Sequence, residues 1–190
     1  MKKITFVCIL SIFLSACFSG RSPDPKFYLF DVLASNKESD KNISILFEKI
    51  KVPALVDKPQ IVLKEKDSLE VSVSEFNRWS EPLPNMIRQT LISDLNEYLP
   101  NAFIKPDNYD TSGNFDYTLL VEVETFIGEK NYFATFSCWW TLKDKNGKII
   151  RRKKSNFENF MDSTYESYVD SQSYNIDELA MEIANFISEK

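Results

Sequence analysis

The residue types that most often carry out chemistry are scarce in this chain. Among its 190 residues there is no histidine, so the commonest general base, proton shuttle and metal ligand is missing. Three cysteines occur. Cys8 lies inside an apolar leader, Cys17 closes that leader, and Cys138 shares a strand face with Phe136 and Trp140, the setting of a buried, inert thiol. Zinc clusters and nucleophile–base pairs therefore lack members. Glu122 and Glu124 fall on one strand face and read as solvated or salt-bridged carboxylates, not as a hydrolytic pair. Of the four glycines none forms a phosphate-cradling loop, and a P-loop is absent. The expectation is a protein that is not an enzyme, takes no metal or cofactor, and works by anchoring and binding.

Two groups of side chains could make a binding surface. Arg78 and Trp79, followed by Glu81, stand where a strand pattern gives way to a helix pattern. Trp79 reads either as a core plug under the helix start or, with Arg78, as a partner-facing surface, since Trp and Arg are enriched at interface hot spots. The run Arg151-Arg152-Lys153-Lys154 reads either as a solvated edge strand guarded against aggregation or as a contact for anionic lipid headgroups or an acidic partner.

The leader carries a chemistry of its own. Lys2 and Lys3 precede a short apolar run that ends in Leu14-Ser15-Ala16-Cys17. A bilayer core needs about 20 apolar residues to be crossed by a helix, so this run reads as a signal to be removed. Leu-Ser-Ala-Cys resembles a bacterial lipobox, which implies cleavage before Cys17 and acylation of that residue. Several acyl chains anchor stably where one binds only marginally. Phe18, in place of the aspartate that retains such proteins at the inner membrane, implies the outer membrane. The expected divisions are a signal peptide at 1–16, a lipidated tether at 17–26 with Gly20, Pro23 and Pro25, and one domain at 27–190. After cleavage 190 − 16 = 174 residues remain, enough for a real core, and only Cys138 is left unmodified, so no intramolecular disulfide forms. The charge becomes (23 − 2) − 28 = −7, which argues against nucleic acid as a partner.

The elements that position these groups alternate between periods of 2 and 3.6. Residues 27–33 read as a first strand, 43–52 as a central strand closed by Pro53, and 61–63 and 69–73 as a pair joined by the turn Glu65-Lys66-Asp67-Ser68. Ser80 reads as the N-cap of a helix whose stripe is Leu83, Ile87, Leu91 and Leu95, stopped by Pro100. A short strand at 103–104 leads to a three-strand antiparallel meander. Tyr117, Leu119, Val121, Val123 and Ile127 share one face of its first strand, with hairpins at Gly128-Glu129-Lys130-Asn131 and Lys145-Asn146-Gly147-Lys148. A closing helix carries the stripe Tyr165, Val169, Gln172, Ile176, Leu179, Ile183 and Ile187, with irregularity expected near Ser173 because Asn175 could cap a fresh helix. The fold class is α+β: an antiparallel or mixed sheet with two amphipathic helices packed on it, in a single domain.

Two blocks, Leu55-Val56-Asp57-Lys58-Pro59-Gln60-Ile61-Val62 and Glu75-Phe76-Asn77-Arg78-Trp79-Ser80-Glu81-Pro82-Leu83, resemble the signature of the PqiC-type ABC-transport auxiliary lipoprotein family, the membrane integrity-associated transporter subunits. The closing helix is similar to that family's in its spacing, whereas the richness in Lys, Asn and Phe departs from many relatives. The resemblance implies an outer-membrane, periplasm-facing subunit of an MCE/ABC-type lipid-transport system. Its partner would be an MCE-domain (PqiB-like) inner-membrane protein, and copies of the subunit could assemble as a homo-oligomer. The candidate docking residues are Arg78, Trp79 and Glu81. A different class of function is a periplasmic lipid-binding carrier, which would need a large cavity lined by Phe47, Phe136 and Leu91. A purely structural envelope lipoprotein fits the composition but leaves the two blocks unexplained.

Overall fold

The computed structural model describes residues 22–34, 39, 41–108 and 113–190. The leader, the first half of the tether (17–21, Cys17 included), and parts of the polar loops expected at 36–42 and 106–113 lie outside the described residues.

The sheet is organised by its longest strand, β6 (Tyr117–Glu129), whose Leu119, Val121 and Val123 are buried. On one side β6 pairs along its length with antiparallel β7 (Phe133–Asp144), which pairs in turn with antiparallel β8 (Ile149–Phe160), the meander expected from alternation. On the other side its two ends take different partners. β2 (Ser44–Phe47) runs parallel to its start and β3 (Gln60–Lys64) parallel to its last two residues. β5 (Phe103–Pro106) adds to β2 in parallel, β4 (Val71–Trp79) to β3 antiparallel, and β1 (Lys26–Tyr28) to β4 in parallel. The result is an eight-stranded mixed sheet with β1, β5 and β8 at its edges.

Two helices cover it, α1 (Leu83–Tyr98) and α2 (Tyr165–Ser188); α2 packs on β7 and β8 and against α1. The core between helices and sheet is one cluster that includes Phe47, Leu91 and Phe136, each fully buried. All three are packed within that cluster.

Several expectations are corrected. The strand expected at 43–52 stops at Phe47, because beyond it the chain follows β6 only through single hydrogen bonds and one bridge, Lys51 to Glu122. The first strand is three residues long: Phe30 turns into the core, and the Asp31, Leu33 and Ala34 amides bond side chains instead of a strand. Leu69 is not in a strand but at the turn, fully exposed. Ser80 does not cap α1. Pro82 stands at that position without a side-chain cap, while the Ser80 amide donates to Tyr28 O at 2.9 Å. In β6 a register shift between Val123 and Thr125 inserts one residue, and one extra residue exchanges the faces of everything beyond it. Phe126 therefore points inward and Ile127 does not share the face of Val121.

α2 is a single helix capped by Thr164, whose hydroxyl accepts from Ser167 N at 3.1 Å. Asn175 does not start a new helix. Its Nδ2 donates to Ala134 O of β7 at 2.9 Å and to Gln172 Oε1, while Gln172 Nε2 donates to Thr135 O at 3.2 Å. The polar residues in the stripe thus satisfy β7 carbonyls under the helix, as buried polar groups must.

Gly128 shows why the second helix can approach so closely. It lies within β6 and not in the hairpin turn, where Asn131 supplies the positive φ of 56°. A Cβ on Gly128 would stand 2.5 Å from Met161 Sδ and 2.5 Å from Tyr168 Cδ2, and both residues are buried. Gly128→Ala is expected to destabilise the domain by about 1–3 kcal/mol through overpacking, read as a lower urea midpoint with an unchanged slope. An unchanged midpoint would mean that α2 can shift away from the sheet.

Candidate functional site

The two signature blocks begin 75 − 55 = 20 residues apart in the chain, and the sheet brings them together. The first turns on itself before β3, where Val56 N and Asp57 N donate to Pro53 O at 3.0 and 3.1 Å and Lys58 N to Val56 O at 2.9 Å. Trp79 N then donates to Pro59 O at 2.8 Å, and Ser80 N to the end of β1 at Tyr28 O. Three segments are laced by their backbones around a surface cleft of about 380 Å³.

Its floor is Trp79 and Leu83, 4% and 1% exposed, its walls are Phe27, Pro59 and Pro82, and Asp57, Lys58, Ser80 and Glu81 complete it. Phe27 is 62% exposed. Trp79 belongs to the core: its ring centroid lies 5.1 Å from Phe30, 6.0 Å from Tyr168 and 6.3 Å from Phe126. Of the two readings of Trp79, the core plug describes where its ring sits, with one edge left for the cleft. Arg78 is half-buried outside the cleft lining, its Nε donating to Glu75 O at 3.3 Å. Glu81 is exposed at the rim.

The entry of the chain is fastened beside the cleft. Tyr28 donates its hydroxyl to Glu166 Oε1 at 3.0 Å, and Lys26 Nζ lies 3.2 Å from the same oxygen. Burial first, then the Glu166 carboxylate, push the Tyr28 hydroxyl up to about 12. The backbone N–H of Glu166 itself, then Tyr28 and Lys26, hold its carboxyl below the ordinary range.

The basic run is elsewhere, on edge strand β8, and its charges are met within the protein. Arg152 lies 3.7 Å from Glu122 and over the Trp139 ring, and Lys154 pairs with Glu124, which also accepts from Trp139 Nε1. Lys153 pairs with Glu182 at 2.8 Å, and Arg151 stands over the Phe186 ring. Glu182 also accepts from Trp140 Nε1 and Ser155 Oγ, both at 2.6 Å. Burial would raise its pKa, but the bonds from Lys153, Ser155 and Trp140 outweigh it and hold the carboxyl below the ordinary range. Cys138 is fully buried, and burial pushes its thiol up to about 12, far from a reactive thiolate. Cys17 lies outside the described residues.

Two features of this region escaped sequence reasoning. Phe27 joins the cleft only through the β1–β4 pairing, of which it carries no local sign. Asp94 is fully buried inside α1, its Oδ1 accepting from Leu33 N at 3.0 Å and Ala34 N at 3.2 Å while Oδ2 has no partner. Its position three residues after Leu91 and one before Leu95 was the available signal: a carboxylate on the apolar face.

The family described as ABC-type transport auxiliary lipoprotein component matches residues 30–184. The chain belongs to this family. Both signature blocks, and all of the cleft except Phe27, fall within the part that matches the auxiliary lipoproteins. The chain is similar to the intermembrane transport lipoprotein PqiC of Escherichia coli K12, 27% identical over 155 residues that cover 80% of this chain and 79% of that protein. The Shigella flexneri protein of the same name matches to the same extent. Two solved structures share this fold. One, of an uncharacterized protein, has a TM-score of 0.71 at 21% identity, covering 87% of this chain and all of the other. The second, from Xanthomonas campestris, has a TM-score of 0.70 at 14% identity, covering 86% and 95%. Among the described residues no helix is long and apolar enough to cross a membrane, and no group of three or more acidic, Cys or His side chains is arranged to hold a metal ion.

Proposed function

We propose that this transport auxiliary lipoprotein is anchored in the outer membrane through acylated Cys17, faces the periplasm, and docks an MCE-domain partner that spans from the inner membrane. In this reading residues 1–16 are the removed signal, 17–26 the tether and 27–190 the working domain. The observation that carries it is the convergence of the two signature blocks in one preformed cleft at the tethered end of the sheet. The tether supplies 26 − 17 = 9 residues before β1, and at no more than about 3.6 Å per residue the cleft stays within roughly 30 Å of the lipid. Glu81 contacts the partner directly, Arg78 borders the contact, and Trp79 acts from below by holding Pro82 and Leu83 in place. The role is one of anchoring and docking without turnover. The packed core at Phe47, Leu91 and Phe136 supports docking over the carrier reading.

The test separates anchor from dock. Wild type is expected in the outer-membrane fraction, and Cys17→Ala in the soluble periplasm. From detergent-solubilised envelopes the wild type should co-purify an MCE-domain protein, and Phe27→Asp, altered at an exposed side chain, should lose most of it while keeping its stability. Wild type fractionating with the inner membrane, or retaining no MCE-domain protein, would sink the proposal.

A further inference from the structure

The cleft is lined with more specificity than an apolar contact requires. Its carboxylates, Asp57 and Glu81, are exposed, and neither has an ion-pair partner among the described residues. Lys58 is the one cation in the lining, so the charges around the apolar walls sum to −1. A surface with that balance disfavours a phosphate headgroup and favours a cation, because complementary potential steers and registers an interface.

Size and rigidity narrow the occupant further. At about 380 Å³ the cleft sits near the lower end of the roughly 300–1,000 Å³ usual for ligand pockets, room for a large side chain rather than an extended amphiphile. Its walls are preformed by two prolines and by the backbone bonds from Trp79 to Pro59 and from Ser80 to Tyr28. A rigid concave site of this kind suits an anchor residue set at the centre of an interface, with charged pairs at the rim fixing its register.

We infer that the cleft recognises a protein segment that seats one large apolar side chain against Pro59, Pro82 and the edge of Trp79 and sets a neighbouring Lys or Arg against Asp57 and Glu81. The inference rests on the docking reading given above and names the chemistry of what docks.

The experiment places the photo-crosslinker p-benzoylphenylalanine at position 27 of the full-length lipidated chain in cells and sequences the adduct by mass spectrometry. The expected product is a peptide of another protein with a large apolar residue within two positions of Lys or Arg. In a second arm, the double variant Asp57→Lys, Glu81→Lys should lower adduct yield about tenfold, as reversal of two rim charges predicts. Glu81→Gln alone should lower it about twofold and serves if the double variant proves unstable. An adduct to lipid, to a second copy of this chain or to an acidic segment overturns the inference, as does a yield indifferent to the rim charges. An MCE-domain protein co-purified with wild type but absent from every position-27 adduct overturns the cleft chemistry while leaving the auxiliary role standing. Failure of wild type to retain any such protein removes the docking reading itself.

Discussion

Trp79→Ala should lower the stability of the domain by about 3–5 kcal/mol, the range for deleting a large aromatic from a packed core. Trp79 is 4% exposed and touches Phe30, Phe126 and Tyr168, so its removal opens a void where β4, β6, α2 and the N-terminal segment meet. Each aromatic pair adds about 0.5–1.5 kcal/mol beyond buried area. For a domain of ordinary stability, about 5–15 kcal/mol, the loss is a large fraction of the total and shifts the melting temperature by roughly 10 °C. Chemical denaturation of purified wild type and variant checks it, and a change below 1 kcal/mol would place the ring at the surface. Trp79→Ala is consequently a poor probe of the proposed docking, because any loss of binding would act through the fold. Phe27→Asp tests the cleft without disturbing what lies beneath it.

The pattern of strands and helices was legible wherever burial on one side imposed a strict period. The faces of β7 and α2 follow directly from Ala134, Phe136, Cys138, Trp140 and Leu142 and from Ile176, Leu179, Ile183 and Ile187. What failed to show was whatever depends on one inserted residue or on distant pairing. The bulge at Glu124 leaves no composition signal yet exchanges Phe126 for Ile127 in the core. Gly128 resembles a turn residue, and only the approach of Tyr168 explains why a side chain is absent there. The candidate site was half legible: the blocks around Pro59 and Trp79 stood out as text, but their meeting with Phe27 is a product of the parallel β1–β4 and antiparallel β3–β4 pairings.

Asp94→Asn should change how stability depends on pH. Burial first pushes the Asp94 carboxyl up from 3.8 to about 6, reinforced by Asp177 and Glu97, although the amides of Ala34 and Leu33 pull the other way. The folded state therefore binds a proton more tightly than the unfolded chain, and ν_N exceeds ν_U between about pH 4 and 6. This contribution is complete below about pH 3.9 and fades as pH rises through 6, so neutral solution loses about 3 kcal/mol relative to acid. Asparagine keeps an oxygen for Leu33 N and Ala34 N but has no charge to bury. From pH 4.5 to 7.5 the stability of Asp94→Asn relative to wild type should rise by about 2 kcal/mol, measured by urea midpoints at both pH values. Parallel pH profiles for the two proteins would show that Asp94 ionises at its ordinary value and that its carboxylate finds solvent.

In the acylated, partner-docked form proposed here, β1 is also a mechanical joint. Tension between membrane and partner enters the domain at Lys26, and a three-residue edge strand resists peeling far less than the core behind it. The next firm holds are Phe30, ringed by Trp79 and Phe126, and Asp31, whose amide is held by Ser173 Oγ. Peeling residues 26–29 pays out 30 − 26 = 4 residues, lengthening the leash by about 13 Å, and carries Phe27 out of the cleft wall. In that form grip on the partner and slack in the tether are one variable: a taut lipoprotein would let go.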